Sequence, residues 1–341
     1  MQKRARPFIV PVFIPHAGCL HRCVFCDQIA ITGGRREIPS PQELRSHIGT
    51  FLAHRAAWHG PAQIAFYGGN FLGLDPIRVR GLLRIANEFV ADGRAESIRF
   101  STRPDTIDPE RLDALLEFPV TTVELGVQSM DDDVLALSAR GHTTADTRRA
   151  VGLLQESGYA VGCQLMVGLP GDDRIRSCAS AGRVAALQPD FVRIYPTVVL
   201  AGSLLARWYA QGVYRPLALE QGVDLVKELY LFFRRRNIAV IRMGLQAAAD
   251  LVPGTTIVAG PYHPAFGHLV HAEVFRERAG EKIVTATGDS VTLAVHPHSL
   301  SRLRGLKNAN IERLTEQFHL RKLHIIPDPT LDPEEVALRK S

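Results

Sequence analysis

The chain has 341 residues, of which 46% are hydrophobic and 22% are charged, and its formal net charge is +5. These values are ordinary for a globular protein, so they exclude a wholly disordered or collagen-like chain, and the length suffices for a large domain plus a smaller one. The modest positive charge permits a polyanionic partner such as RNA without requiring one.

Strand-like and helix-like segments alternate from residue 8 to about residue 240. The predicted strands are Phe8–Pro15, Gln63–Gly68, Ser97–Thr102, Thr122–Gly126, Tyr159–Val167 and Phe191–Tyr195. The predicted helices are Gln42–Trp58 behind a cap at Ser40, a segment from the cap Asp75 to Val90, Pro109–Glu117, Thr143–Ser157, a segment that ends at Ala185, and Leu219–Arg236. This alternation predicts a parallel sheet with helical crossovers, and six such units predict an α/β fold in the form of a partial (β/α)6 barrel.

The pattern changes after about residue 251. Residues 253–271 are rich in glycine, proline and histidine, which favours a packing loop, although His263 and His268 could instead close over the barrel mouth and touch substrate. The elements predicted beyond it are a strand at Ser290–Val295, a helix at Asn308–Phe318 and a strand at Lys322–Ile326. We therefore predict a barrel domain over residues 1–250, a small C-terminal α+β domain over 251–330 and a tail over 331–341.

Three of the five cysteines fall within eight residues. Cys19, Cys23 and Cys26 form a C-x3-C-x2-C pattern directly after the first predicted strand. Thiolates are soft ligands that suit iron–sulfur clusters or zinc. Three of them can hold three irons of a [4Fe–4S] cluster and leave the fourth iron open, whereas a zinc site would need His16 or His21 as its fourth ligand. The position after a barrel strand, where barrel active sites gather, favours the cluster.

The remaining cysteines and the start of the chain bear on the compartment. Cys163 and Cys178 stand alone and are best interpreted as structural, so the set is unlike a secreted disulfide framework and is typical of a reducing cytoplasm. Pro7, Pro11 and Pro15 interrupt the apolar run behind the basic first residues, which is poor for a signal helix. No run of about 18 apolar residues is present, so we expect no membrane span.

The cysteine segment and six further segments resemble one family. With Phe25 as its aromatic residue, C-x3-C-x-Φ-C is similar to the signature of the radical S-adenosylmethionine (SAM) superfamily. The other matching segments lie at or near strand ends: Gly68-Gly69-Asn70, Ser101–Asp105 (STRPD), Val123–Ser129 (VELGVQS), Arg140–Thr143 (RGHT), Met166–Asp172 (MVGLPGD) and Tyr195–Thr197 (YPT). Over residues 8–240 the set resembles the branch of the Elongator catalytic subunit and the oxygen-independent coproporphyrinogen III oxidases. It is closest to the Elongator core, and within it to stand-alone bacterial proteins with a short C-terminal domain.

This resemblance implies a radical SAM enzyme. The three cysteines would hold a [4Fe–4S] cluster, and an external donor of the flavodoxin or ferredoxin type would supply the electron that cleaves SAM. The SAM-binding residues that it implies, together with strand-end chemistry, are Phe25, Gly68, Gly69, Asn70, Ser101, Arg103, Glu124, Gln128, Arg140 and Met166. The Elongator likeness suggests tRNA as substrate and leaves a small metabolite open.

The sequence departs from the family pattern at three points. About ninety residues follow the predicted barrel, too few for the acetyltransferase domain of Elongator. The basic RNA-binding segment that precedes the cluster in Elongator is not seen, and Gln28 stands where the porphyrinogen oxidases carry a fourth cysteine. These departures make heme synthesis a poor expectation and leave the substrate undetermined.

Each expected SAM contact also has a structural interpretation. Taken alone, Gly68 and Gly69 are better explained as a plain strand-to-helix turn. Glu124 could pair with Arg103 or Arg140 rather than with SAM, and either arginine could bind the SAM carboxylate, because a guanidinium forms a fork that fits it. Two other functions stay open at this point: a zinc-stapled RNA-binding protein without catalysis, and an iron–sulfur sensor that binds SAM without turnover.

Overall fold

The centre of the molecule is a curled, all-parallel sheet of seven strands. The computed structural model describes residues 7–14, 18–19, 21–27, 38–54, 60–246 and 251–339. The sheet strands follow one another in chain order, and each pairs in parallel with the next. They are β1 (Phe8–Ile14), β2 (Ala62–Gly68), β3 (Ser97–Thr102), β4 (Val120–Gln128), β5 (Ala160–Val167), β6 (Phe191–Pro196) and, after the two-residue β7 (Val199–Leu200), β8 (Ala239–Met243). The predicted partial barrel is thus confirmed, and β8 is a seventh strand that was not predicted.

Helices cover the outer face of this sheet. The helices of this part of the chain are α1 (Pro41–Ala53), α2 (Pro76–Ala91), α3 (Pro109–Asp113), α4 (Asp132–Leu137), α5 (Thr144–Glu156), α6 (Arg174–Ala186), α7 (Leu204–Ala210) and α8 (Leu219–Arg235). Of these, α7 packs with Val24 in a separate apolar cluster rather than on the sheet. Ser40 begins α1 in a capping box with Glu43, and the Asp75 carboxylate accepts from the N–H of Ile77 at the start of α2, so both predicted caps are confirmed. The predicted end of the first helix, Trp58, lies outside the described residues, and the helix predicted to reach Glu117 ends at Asp113.

The two faces of the sheet differ in chemistry. Along β1, Val10, Val12 and Ile14 point to the helices and are fully or almost fully buried in the main apolar core. The intervening positions of the central strands point into the concave face, and there Arg99 and Glu124 are buried polar residues. Because side chains alternate along a strand, this pattern leaves a polar lumen inside an apolar shell.

The C-terminal part adds a second, smaller sheet and core. Its elements are β9 (Ile257–Ala259), α9 (Phe266–Ile283), β10 (Ser290–Val295), α10 (Leu300–Arg304), α11 (Ala309–Gln317), β11 (Lys322–Pro327) and β12 (Val336–Arg339). Strand β10 pairs in parallel with β11 and antiparallel with β12. Helix α9 joins the two cores, since its first half packs in the barrel core and its second half in the C-terminal one.

Two segments of this part differ from the sequence expectation. Residues 253–271, expected as a packing loop, contain β9 and the start of α9, and β9 pairs with β7. Residues 331–341, expected as a loose tail, contain β12, because Val336 is buried and Leu338 packs on the second core. The domain boundary near residue 250 stays a prediction. None of the described helices combines the length and apolarity that a bilayer crossing requires.

Candidate active site

The cysteine loop follows β1 and is fastened to two distant parts of the barrel. Within the loop, the N–H of Cys26 donates to the carbonyl of Cys23 over 3.1 Å. The N–H of Val24 donates to the carbonyl of Ser138 (3.1 Å), and its carbonyl accepts from the N–H of Leu205 (2.8 Å). The Val24 side chain is buried in a small apolar cluster against which Phe25 packs. His16, one expected zinc ligand, lies outside the described residues.

A close backbone contact joins the cysteine loop to the end of β2. Gly18 has a φ of +72°, and a Cβ built on it would lie 2.2 Å from the carbonyl oxygen of Asn70. A Cβ on Gly73 would lie 2.2 Å from the carbonyl oxygen of Gly18 and 2.3 Å from Asn70 Nδ2. Both positions therefore require glycine, and the contact fixes the backbone of Gly18 directly before Cys19.

Asn70 is the polar centre of this contact. Its Nδ2 donates to the Gly18 carbonyl over 3.0 Å, and its residue is 2% exposed. Its Oδ1 accepts from Thr102 Oγ1 (2.6 Å), the Arg103 N–H (3.0 Å) and Thr106 Oγ1 (3.0 Å). The side chain that was expected to touch SAM is thus engaged in linking the cysteine loop to the end of β3.

The three cysteine thiols lie within electrostatic reach of one another and of Arg140. Burial and the neighbouring Cys23 raise the pKa of the Cys19 thiol, while burial and the other two cysteines raise the pKa of Cys26 to about 12. Arg140 opposes both shifts, and its Nη1 donates to Cys23 Sγ over 3.0 Å. Three adjacent thiolates need a bound cation, because like charges raise each other's pKa. The donor set therefore fits an iron–sulfur cluster.

The spacing of the donors bears on the zinc alternative. Within the part of the chain that the structure describes, no group of three or more His, Cys, Asp or Glu side chains is arranged to hold a metal ion. A single zinc ion needs its ligands to converge on one point. A [4Fe–4S] cluster does not, since each cysteine binds a different iron. The described positions of Cys19, Cys23 and Cys26 are therefore compatible with a cluster.

Arg103 and Arg140 each keep one buried nitrogen without a hydrogen-bond partner among the described residues. Arg103 holds Asp105 through Nε and Nη2, both at 2.9 Å, and its Nη1 has no hydrogen bond among the described residues. Arg140 uses Nη1 on Cys23 and Nη2 on the Gly126 carbonyl (2.6 Å), and its Nε is likewise unpartnered in the described chain. An unpartnered buried donor is costly, so an anionic ligand such as a carboxylate fits beside these arginines.

Glu124 pairs with two arginines that the sequence analysis did not single out. Its Oε1 is 2.6 Å from Arg99 Nη2, and its Oε2 is 2.7 Å from Arg193 Nε. Tyr67 donates to the same carboxylate over 3.1 Å. The expected pairing with Arg103 or Arg140 is not found, because Arg99 on the neighbouring strand β3 and Arg193 on β6, two strands away, reach Glu124 across the lumen face. Only the parity of Arg99 with Ser101 could have indicated this contact in the sequence.

The Glu124 network leads to a stability prediction. We expect Glu124→Gln to lower the free energy of unfolding by about 3–5 kcal/mol, because it removes the carboxylate that compensates two buried guanidinium groups. Urea denaturation measures the loss, and Glu117→Gln, at an exposed carboxylate, is expected to change it by less than about 0.5 kcal/mol. A weakened affinity for SAM with unchanged stability would instead place Glu124 on SAM.

The remaining expected SAM contacts lie at the carboxyl ends of the strands. Gly68 ends β2 with a φ of +103° and borders Ile14 at the end of β1. Gln128 ends β4 with a φ of +68° at a register shift against β5, and its Oε1 accepts from Gln164 Nε2 over 3.2 Å. Ser101 and Met166 are half-buried, on β3 and β5. Gly69 directly follows β2. The strands thus bring these residues to one rim, while their contact with SAM stays a prediction.

His142, in the RGHT segment, is a buried residue at this rim that was not singled out from the sequence. Burial, with Arg140 and Arg103 nearby, lowers the pKa of His142 to about 3, and its Nδ1 has no hydrogen bond among the described residues. The imidazole is therefore neutral at ordinary pH.

This shift predicts acid sensitivity. Below about pH 6.5 the unfolded chain binds a proton at His142 that the folded chain excludes until pH falls to about 3. Stability is therefore lost as pH falls through this window, by about 1.4 kcal/mol per pH unit from this group. We expect His142→Gln to flatten the fall in unfolding free energy between pH 6.5 and 5, and His54→Gln, at an exposed histidine, to leave the slope unchanged. Equal slopes for all three proteins would refute this.

Comparison with known proteins identifies the family. The profile of the Radical SAM superfamily matches residues 13–177, and that of the Radical_SAM C-terminal domain matches residues 189–276, so together they span most of the chain. The chain belongs to the radical SAM superfamily. Membership of this superfamily makes the chain an enzyme and argues against a non-catalytic, zinc-stapled RNA-binding protein.

Similar proteins and structures agree with this assignment. A tRNA uridine(34) acetyltransferase of Dehalococcoides mccartyi is 28% identical over 58% of this radical SAM chain and 50% of its own length. An uncharacterized protein of Methanocaldococcus jannaschii is 27% identical over 64% of this chain and 70% of its own. The structure of Methanocaldococcus infernus Elp3 without residues 1–46 superposes with a TM-score of 0.62 at 22% identity, covering 81% of this chain and 64% of that one. The chain spans at most half the length of the tRNA uridine(34) acetyltransferases it matches.

Proposed function

We propose that Cys19, Cys23 and Cys26 hold a [4Fe–4S] cluster and that the chain reductively cleaves SAM to abstract hydrogen from a substrate. The observation that carries this is a group of three cysteines, whose thiolates would repel one another, beside Arg103 and Arg140. Each of these two arginines keeps a buried nitrogen without a hydrogen-bond partner among the described residues. When bound, such a cluster would supply one-electron reduction of SAM: an electron from a flavodoxin- or ferredoxin-type donor would break the sulfur–C5′ bond and give methionine and a 5′-deoxyadenosyl radical.

The chain's own residues would position SAM. Arg103 Nη1 and Arg140 Nε are the donors available for its carboxylate. The backbone at Gly68 and Gly69 can approach the ammonium group closely because neither residue has a Cβ. Ser101 and Gln128 are the polar groups for the ribose, and Met166 lies on the strand whose end would face adenine. Asn70 would act indirectly, by fixing Cys19 and Arg103 relative to each other.

The substrate that the comparisons favour is a uridine in tRNA. The support is the match to proteins named tRNA uridine(34) acetyltransferases, together with the net charge of +5. We expect unmodified tRNA transcripts to increase the 5′-deoxyadenosine that the reconstituted, reduced protein forms from SAM, and to gain a modified or radical-derived uridine detectable by nucleoside mass spectrometry. The Cys23→Ala protein is the control. Unchanged 5′-deoxyadenosine and unchanged nucleosides would exclude tRNA as the substrate.

A further inference from the structure

A cavity of about 490 Å³ lies where the free edge of β8 meets the C-terminal part of the chain. On the barrel side it is lined by β8 itself and by Gln246, just beyond the carboxyl end of that strand. On the other side it is lined by the first turns of α9, at His268 and His271, and by Arg302 of α10. The end of the cavity at Gln246 therefore lies at the same edge of the sheet as the carboxyl ends of the strands that form the candidate active site.

The surroundings of this cavity carry an excess of positive charge. Arg234, Arg278 and Arg302 all pair with a single carboxylate, that of Glu334, at 2.6 Å, 3.0 Å and 3.0 Å. One negative charge thus serves three guanidinium groups. Arg242 also lines the cavity, and although its backbone pairs with β6, its side chain makes no ion pair or hydrogen bond in the part of the chain that the structure describes.

Two further features favour an anionic ligand here. The beginning of α9 borders the cavity, and the first turn of a helix carries partial positive charge from its backbone N–H groups. His271 Nδ1 is buried and has no hydrogen-bond partner among the described atoms. Burial, with Arg302 close by, lowers the pKa of His271 to about 4, so this ring remains neutral and can donate to an anion without adding charge.

We propose that this cavity binds a backbone phosphate of an RNA substrate, with Arg242 and Arg302 as its cationic contacts. The proposal rests on the proposed function, in which the substrate is tRNA. A phosphate oxyanion satisfies the unpartnered guanidinium of Arg242, the excess charge around Glu334 and the helix start together. A strand edge beside the barrel opening is also where a polymer can lie while one nucleotide enters the lumen.

The test measures tRNA binding by fluorescence anisotropy over a range of salt concentrations, with the full-length reconstituted protein. Arg242→Glu is expected to raise the Kd about tenfold and to reduce the slope of log K against log salt by about one. Arg242→Gln is expected to give a smaller loss in the same direction. Arg235→Glu makes the same charge change at an exposed position of α8 away from the cavity, and is expected to change the Kd less than twofold. Thermal melting checks that each variant is folded.

The outcomes separate the pocket from the proposed function. Equal weakening by Arg242→Glu and Arg235→Glu, or weakening by neither, overturns the phosphate site. Absence of tRNA binding by the wild type also overturns it, and if inorganic phosphate then binds in an Arg242-dependent manner by calorimetry, the ligand is a free phosphate compound instead. The same wild-type preparation is assayed for 5′-deoxyadenosine formation from SAM, so a failed pocket with intact SAM cleavage leaves the radical chemistry standing.

Discussion

Replacement of Cys23 by alanine is expected to abolish iron binding and SAM cleavage. The substitution removes the proposed ligand of one iron and also the sulfur to which Arg140 Nη1 donates. We expect the iron content to fall from about four atoms per chain to below one, and the broad iron–sulfur charge-transfer absorption at about 400 nm to disappear. We also expect 5′-deoxyadenosine formation to fall at least about 100-fold.

The matched control is Cys178→Ser. Cys178 is a half-buried residue of α6 whose sulfur donates to Glu228, and serine can keep that hydrogen bond. We expect this variant to keep its iron and its activity. Retention of a four-iron cluster by Cys23→Ala, or equal iron loss in both variants, would contradict the assignment of the cysteines.

Replacement of Gly73 by alanine is expected to detach the cysteine loop from the end of β2. The new Cβ would lie 2.2 Å from the Gly18 carbonyl oxygen and 2.3 Å from Asn70 Nδ2, both far inside contact distance. The neighbours that would have to move are backbone and a buried amide, so overpacking is expected to cost about 1–3 kcal/mol or more. The hydrogen bond from Asn70 to Gly18 would break as well, and the protein should lose its iron faster on exposure to a chelator.

Gly81→Ala is the control for this substitution. Gly81 lies in α2, and a Cβ there meets nothing within 4 Å. Since alanine is the better helix former, this variant is expected to be more stable by about 0.5–1 kcal/mol and to keep its iron. If Gly73→Ala melts and releases iron like the wild type, the contact between Gly18 and Gly73 does not position the cysteines.

The sequence was sufficient for the barrel because each of its units is local. Alternating β-branched runs and capped helices predict a parallel sheet, and six of the seven strands were found this way. Strand β8 was missed because it has only five residues, one of them Arg242, and directly follows a long helix. Strand β12 was missed because its pairing with β10 depends on a partner about forty residues earlier, which periodicity does not reveal.

Within the site, the sequence located the rim but not the pairing inside it. The cysteines, glycines and arginines were expected at strand ends, because parallel strands bring their carboxyl ends to one edge. The partners of Glu124 come from β3 and from β6, two strands away, and depend on the curl and stagger of the sheet, so Arg99 and Arg193 were not foreseen. The role of Asn70 depends on the close approach of Gly18 and Gly73, which are 55 positions apart.

Anaerobic assay of SAM cleavage tests the central claim most directly. Wild-type protein reconstituted with iron and sulfide is reduced with dithionite and given SAM, and 5′-deoxyadenosine and methionine are quantified by chromatography. We expect both products in equal amounts from the wild type and neither from Cys23→Ala. An intact, reducible cluster in the wild type that forms no 5′-deoxyadenosine would contradict reductive SAM cleavage and leave a SAM-binding iron–sulfur sensor in its place.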